Sequence, residues 1–382
     1  MFIDLASSAR GIWKSCAFLV LATSYGLLSA QDKSPSFVSV DALLNQYVQS
    51  NRIAGATALV IQDGKTVYQA AVGMQDIASN KPMRTDTIFR IASMTKPITS
   101  VAIMLLIDDG KLKLDTPVKD LIPEFANMQV LPLNELDPSK AVAADRDITI
   151  HHLLTHMSGL TYSFVIPEGK PNALRDAGAC DGLIETEITL EENAKRIAKA
   201  PLIAQPGAAW NYGLSTDILG RVVEVASGMP FDRFLEQRLF VPLGMKDTHF
   251  ALPATKHDRF ATLYQTDGHG GIKAAAQGPL RAGNVMYSAT YQKAGATRYL
   301  SGGAGLVSTA SDYAAFLSML LDNGRVGNKQ ILSADSVQKM ITNQIGDAAI
   351  SYAIHGKKFG YGFGIHTADS ERNGSAVGTY SW

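Results

Sequence analysis

The segment FRIASMTKPIT, residues 89–99, leads into a strongly apolar stretch at 98–109 that ends at Gly110. Apolar residues fall on every face of this stretch, so it predicts a helix that is buried on all sides and stops at the glycine. Ser93 and Lys96 lie three residues apart where that helix begins. Because one helical turn separates them, we expect their side chains on the same face.

The chemistry of this pair favours nucleophilic catalysis. A serine hydroxyl is a weak nucleophile until a base takes its proton, and a neutral amine one turn away can do so. The apolar residues after Pro97 favour the uncharged amine, and a helix N-terminus offers N–H groups to an oxyanion. The alternative is an N-cap serine followed by a solvated lysine. The S-x-x-K pattern alone is weak, since it recurs at Ser336 and Lys339 in a polar surface-helix pattern that we interpret as coincidence.

A tyrosine on a loop is the second candidate for the site. In PGAAWNYGLSTDILG, residues 206–220, Pro206 and Gly207 predict a loop that presents Tyr212 just before a helix. A phenol can donate and accept protons, so Tyr212 could relay a proton between Ser93 and a leaving group. The alternative is an aromatic side chain that only packs the loop.

The N-terminal part of the chain predicts a helix followed by a hairpin. Apolar residues at helical spacing over 39–50 indicate one amphipathic helix, with Ser39 as its N-cap. Two β-prone runs follow at 56–62 and 66–73, separated by the turn residues 63–65. This arrangement is typical of a β-hairpin.

The rest of the chain is helical in the middle and β-prone at the end. Thr189 and Glu192 form a capping-box pattern. Helical patterns occur at 148–156, 189–199, 214–226, 230–241 and 311–323, and β-prone segments lie near 359–367 and 376–382. We therefore predict an α+β fold over 38–382: an antiparallel sheet from the N- and C-terminal strands, flanked by helices, with a mostly helical domain inserted at about 115–245.

The first thirty residues predict a signal peptide. Arg10 and Lys14 precede an apolar run at 16–30 that is short for a membrane span and is followed by polar residues. We expect residues 1–30 to be removed and the protein to be periplasmic or secreted, without stable membrane insertion; an uncleaved signal anchor is the alternative. The remaining 33 basic and 34 acidic residues leave no basic footprint for nucleic acid.

Other chemistries have weaker support in the sequence. Cys180 lies in the loop-like GACDG with no histidine nearby, which favours a structural thiol. His152 and His156 are four residues apart, but no glutamate stands at the HExxH position and no third ligand is evident. No G-x-S-x-G occurs in the chain, which argues against an α/β-hydrolase. We expect neither a metal nor a cofactor.

Together with four further stretches, residues 89–99 resemble the class C β-lactamases, D-alanyl-D-alanine carboxypeptidases and related family VIII carboxylesterases. These stretches are DITIHHLLTHMSGLTY (147–162), WNYGLSTDILGRVVEVASGMPFDRFLEQRLFVPLGMKDT (210–248), SGGAGLVSTASDYAAFL (301–317) and GYGFGIH (360–366). The resemblance covers most of 38–382. It implies that Ser93 is the acylated serine, Lys96 its partner and Tyr212 the catalytic tyrosine, and that Tyr162 borders the substrate cleft.

Two positions depart from the family pattern. Leu214 replaces the asparagine of Tyr-x-Asn, whose amide would pair with a β-lactam or peptide, and this favours the esterase branch. Trp382 resembles the first residue of the family's third motif in its Trp-Gly-Gly form, so the resemblance implies a chain truncated before the closing strands and helix. His269 also begins a His-x-Gly sequence, although a hairpin turn is the better interpretation.

The resulting functional expectation is a serine hydrolase that acts through an acyl-enzyme on Ser93. A small-molecule ester or amide is the expected substrate, short-chain esters first, with Tyr162, Leu214 and Trp382 as substrate-binding residues. The alternatives are a β-lactamase or D-Ala-D-Ala carboxypeptidase/transacylase, and a non-catalytic penicillin-binding-like protein.

Overall fold

The N-terminal region forms the predicted helix and hairpin. The computed structural model describes residues 37–293, 298–350, 358–367 and 376–382, so the signal-peptide prediction lies outside the described residues. Helix α1 (Val38–Gln49) packs on the hairpin of β1 (Gly55–Gln62) and β2 (Lys65–Asp76), which pair antiparallel and continue to β3 (Lys81–Pro82). The predicted cap at Ser39 is wrong: the helix begins after Phe37, whose ring stacks on Tyr68 at 4.6 Å and fixes the start by packing.

The predicted buried helix is confirmed and lies at the centre of the described chain. Strand β4 (Phe89–Arg90) leads through a 3₁₀ turn at Ala92–Met94 into α2 (Thr95–Asp108). Every residue of α2 from Thr95 to Leu106 is buried, as its apolar faces require. Burial on all sides fixes the start of α2 within the protein.

Short elements connect α2 to the helical middle of the chain. The helices and strands of this middle region are β5 (Gln129–Val130), β6 (Val142–Ala143), α3 (Ile150–Leu154), α4 (Ala173–Asp176), α5 (Leu190–Ile197), α6 (Ser215–Ser227), α7 (Phe231–Leu235) and α8 (Val241–Leu243). The capping box of Thr189 and Glu192 is present at α5. The helix predicted over 230–241 is interrupted by a π-helical turn at Glu236–Phe240. Pro242 follows that turn and has no N–H to donate to a residue four positions earlier.

The last third of the described chain alternates hairpins with two helices. The elements are β7 (Tyr264–Thr266), β8 (Ile272–Ala274), β9 (Pro279–Ala282), β10 (Val285–Ser288), β11 (Val307–Ser308), α9 (Ala310–Leu321), β12 (Arg325–Val326), β13 (Lys329–Gln330), α10 (Ala334–Met340), β14 (Lys358–Phe359), β15 (Gly364–Ile365) and β16 (Tyr380–Ser381). His269 lies in the β7–β8 turn, as expected, where its N–H donates to Asp267 Oδ1 at 2.7 Å.

The α+β class is confirmed, with one correction to the sheet. Within the described strands, β1, β2 and β3 form one sheet and β14, β15 and β16 form another, so the two ends do not share a sheet. The C-terminal strands instead approach α2: a Cβ on Gly362 would lie 2.6 Å from Ser100 Oγ. This contact brings the C-terminal strands to the buried helix.

The second S-x-x-K sequence is not a surface feature. Ser336 is 2% exposed, and its hydroxyl donates to Asp108 Oδ1 at 2.6 Å, at the end of α2. The interpretation of Ser336 as a surface residue was therefore wrong, because the Ser336 hydroxyl connects α10 to α2 through this hydrogen bond. None of the helices in the described residues combines the length and apolarity needed to cross a membrane.

Candidate active site

Three polar side chains meet where α2 begins. The Oγ of Ser93 lies 2.6 Å from the hydroxyl of Tyr212, and Lys96 Nζ donates to the same Oγ at 3.2 Å. Lys96 Nζ also donates to the carbonyl of Gly303 at 2.8 Å. The side chain of Lys96 is 0% exposed. Ser93 Oγ thus has a phenol on one side and a buried amine on the other.

The backbone before Ser93 is held in a strained conformation. Ala92 has φ +42°, in the left-handed region that residues with a Cβ rarely adopt. On either side, the N–H of Ile91 donates to Leu306 O at 3.1 Å, and the hydroxyl of Tyr313 donates to Met94 O at 3.1 Å. These bonds, with the β4–β11 pairing, hold the turn that directs Ser93 toward Tyr212.

Tyr212 is carried by a loop that is hydrogen-bonded to the segment after α3. The N–H of Asn211 donates to His156 O at 2.8 Å, and the N–H of Gly207 donates to Met157 O at 2.7 Å. A glycine is needed at 207, where φ is +85° and a Cβ would lie 3.0 Å from His152 Nε2. The loop therefore has a defined position against α3, and so does Tyr212.

Three aromatic rings surround the amine of Lys96. Its Nζ lies 4.8 Å from the ring centroid of Tyr212, 5.3 Å from that of Tyr162 and 5.6 Å from that of Trp382. Aromatic faces attract a cationic nitrogen. The three rings therefore enclose the end of the Lys96 side chain beside Ser93.

A buried carboxyl group lies behind Lys96. Asp217 is on α6, and its Oδ1 accepts hydrogen bonds from Ser301 Oγ at 2.6 Å and Tyr299 Oη at 2.9 Å. Burial raises the pKa of Asp217 above its usual range, while the Ser301 hydrogen bond and the charge of Lys96 oppose the rise. A Cβ on Gly303 would overlap Asp217 Oδ2 and lie 2.8 Å from Tyr162 Oη. Only glycine lets the turn that contains residue 303 approach the carboxyl group so closely.

Sequence reasoning did not single out Asp217 or Gly303. Both lie within the stretches 210–248 and 301–317 that carried the family resemblance. The consecutive residues Ser301, Gly302 and Gly303 do indicate a segment whose backbone can approach another part of the chain closely.

The three residues expected to bind substrate lie in different environments. Tyr162 is 2% exposed, and its ring centroid is 5.3 Å from that of Tyr212. Trp382 is partly exposed and stacks with Tyr212 at 6.3 Å. Leu214 is 0% exposed and belongs to the hydrophobic core. The expectation that Leu214 contacts substrate was therefore wrong, because its position just before α6 directs the side chain inward.

The surroundings of Cys180 and His152, the two candidates for other chemistries, indicate structural roles. Burial raises the pKa of the Cys180 thiol to about 12, which leaves it a poor nucleophile. His152 accepts from the N–H of Thr149 in the cap of α3, at 3.2 Å. Within the described ranges, no group of three His, Cys, Asp or Glu side chains could hold a metal ion.

A family profile and several known proteins match this chain over most of its length. The profile of the Beta-lactamase family matches residues 40–382. Esterase EstB from Burkholderia gladioli is 36% identical over 289 residues, which cover 74% of this chain and 70% of EstB. The structure of EstCE1, a hydrolase with promiscuous acyltransferase activity, matches this chain with a TM-score of 0.75 at 28% identity. The match covers 89% of this chain and 85% of the EstCE1 chain. Simvastatin synthase (LovD) from Aspergillus terreus has a TM-score of 0.67 at 25% identity, over 87% of this chain and 83% of LovD. The chain therefore belongs to the Beta-lactamase family, and it is a serine hydrolase.

Proposed function

We propose that this protein is a carboxylesterase that hydrolyses short-chain esters through an acyl-enzyme on Ser93. The observation that carries the proposal is the position of Ser93 Oγ, 2.6 Å from Tyr212 Oη and 3.2 Å from Lys96 Nζ. A nucleophile within hydrogen-bond reach of a base, with a second proton donor beside it, is the arrangement that acyl transfer requires.

Acylation uses these three side chains in sequence. In its neutral form, the amine of Lys96 takes the Ser93 proton as Oγ attacks the ester carbonyl carbon, and the carbonyl oxygen gains the negative charge. When this intermediate collapses, the bond to the alcohol oxygen breaks. Tyr212 gives its proton to the departing alkoxide and takes one from the Lys96 ammonium. Ser93 is left acylated and the alcohol is released.

Deacylation reverses the proton movements with water as the nucleophile. A water molecule loses a proton to the Tyr212–Lys96 pair as its oxygen attacks the acyl carbon. The bond from the acyl carbon to Ser93 Oγ then breaks, and Oγ recovers a proton. The carboxylic acid leaves, and the three side chains return to their starting states.

The preference for esters rests on a relative. The relative from Burkholderia gladioli, 36% identical over 289 residues, is named an esterase. Leu214 stands where the Tyr-x-Asn pattern has an asparagine, and it is buried in the core. It therefore supplies no amide to a β-lactam or a peptide.

A serine-directed fluorophosphonate and two chromogenic substrates test the proposal. We expect the full chain to react with the probe and to turn over p-nitrophenyl butyrate faster than nitrocefin. Ser93→Ala should lose labelling and turnover, whereas Ser336→Ala, which removes a hydrogen bond to Asp108, should keep both. A parent that prefers nitrocefin, or a Ser93→Ala variant that still labels, would contradict the proposal.

Export is the second part of the proposal. The basic and then apolar character of residues 1–30 supports removal of a signal peptide and a periplasmic or secreted mature protein. N-terminal sequencing of the protein from the producing cell tests this, since an intact residue 1 would contradict it.

A further inference from the structure

We propose that His156 is a positioning residue of this site, whose ring holds Tyr212 and Trp382 in place around Lys96. The inference rests on the proposed function, because it assigns a part in the same reaction to a residue that the mechanism above leaves unused.

The backbone of His156 is the first support. Its φ of +57° is in the left-handed region, and its carbonyl accepts from the N–H of Asn211 at 2.8 Å. Asn211 directly precedes Tyr212 in the chain. The unusual conformation at His156 therefore sets the point at which the loop that carries Tyr212 is hydrogen-bonded to the segment after α3.

The ring of His156 is the second support. It is 1% exposed and lies among four aromatic rings, with centroid distances of 5.5 Å to Trp210, 5.6 Å to Tyr212, 5.7 Å to Phe359 and 6.2 Å to Trp382. Among the described residues, neither ring nitrogen has a hydrogen-bond partner. The ring is therefore held by packing against aromatic neighbours, and it holds them in the same way.

The charge state of the ring fits this role. Burial first, and the nearby Lys96 second, lower the pKa of His156 to about 3. At neutral pH the imidazole is uncharged, so it packs as an aromatic ring against its four neighbours.

Removal of the ring should misplace Tyr212. The Tyr212 ring has His156 as one neighbour and Tyr162, at 5.3 Å, as another. A cavity in place of the imidazole would let the phenol move away from Ser93 Oγ, which it now meets at 2.6 Å. A displacement of about 1 Å can lower a rate by about 10²-fold, so we expect kcat to fall between about 10-fold and 100-fold, with KM nearly unchanged.

Three variants and one control test the role. His156→Ala and His156→Gln remove the ring, His156→Phe keeps an aromatic ring, and Leu239→Ala is a control that opens a cavity at another fully buried position. Turnover of p-nitrophenyl butyrate and the rate of phosphonate labelling are measured for each, with and without added imidazole.

We expect both ring-less variants to lose kcat and labelling rate together, imidazole to restore part of the loss in His156→Ala, and His156→Phe to stay within about fivefold of the parent. Leu239→Ala should keep its turnover although it is less stable. If His156→Ala does not fold, the contrast between Gln and Phe decides. Ring-less variants that match the Leu239→Ala control, or a loss in His156→Phe as large as that in His156→Gln, would overturn the inference. A parent without labelling or ester turnover would instead refute the proposed function.

Discussion

The hydroxyl of Tyr212 should matter for the reaction far more than for folding. Tyr212→Phe removes the one atom that lies 2.6 Å from Ser93 Oγ and keeps the ring that packs against His156 and Trp382. Proton transfer by a positioned side chain contributes about 10²–10⁴-fold to a rate. Loss of one hydrogen bond changes the free energy of unfolding by only about 1 kcal/mol. We therefore expect kcat to fall at least 100-fold while thermal stability hardly changes.

A second tyrosine provides a matched control for this substitution. The hydroxyl of Tyr264 accepts from the N–H of Ile77, also at 2.6 Å, in the exposed turn between β2 and β3. Tyr264→Phe removes the same atom and a bond of the same length. Steady-state turnover of p-nitrophenyl butyrate and thermal unfolding are measured for both variants. A Tyr212→Phe enzyme within tenfold of the Tyr264→Phe enzyme would refute the role of Tyr212 in proton transfer.

Three further substitutions follow from the geometry. Ala92→Gly should raise the free energy of unfolding by about 1 kcal/mol, because φ +42° costs glycine nothing, and chemical denaturation measures the gain. Gly303→Ala should lower the free energy of unfolding by about 1–3 kcal/mol and abolish turnover, because its Cβ would overlap Asp217 Oδ2. Retained activity with an unchanged melting temperature would contradict the close packing of Gly303 against Asp217. Burial lowers the pKa of His156 from 6.5 in the unfolded chain to about 3 in the folded chain. Between these two pH values only the unfolded chain takes up the proton. The stability contributed by the neutral ring is therefore fully present above about pH 6.5 and is lost as the pH falls toward 3. His156→Phe should therefore reduce the loss of stability between pH 6.5 and 3, and identical acid-unfolding curves for the variant and the parent would count against a buried neutral imidazole.

Local periodicity was enough to predict the centre of the fold. The all-apolar stretch after Pro97 predicted the buried helix α2, and the one-turn spacing of Ser93 and Lys96 predicted that their side chains meet. Both predictions depend on residues close together in the chain, where helix geometry leaves little freedom. Tyr212 is 119 positions from Ser93. Its loop position and its phenol made it a candidate, and the family resemblance favoured the catalytic role over the packing alternative.

The predictions that were wrong, and the site residues that were missed, depend on contacts between segments that are distant in the sequence. Leu214 stands two residues after Tyr212, but the entry of the chain into α6 buries it in the core. Ser336 belongs to a helix with a polar pattern, yet it pairs with Asp108, 228 positions away. Asp217 and Gly303 approach each other only because two segments cross behind Lys96. Contacts between distant segments leave little local signature in the sequence, and the consecutive glycines at 302 and 303 are the exception among these cases.

The most direct test is to locate the acyl group on the chain. The full protein is mixed with p-nitrophenyl butyrate, quenched in acid within the first turnover, digested and analysed by peptide mass spectrometry. We expect the butyryl group on the peptide that contains Ser93, and its amount should rise when deacylation is slowed. A butyryl group on Ser336 or Cys180, or ester turnover without any acylated peptide, would contradict an acyl-enzyme on Ser93.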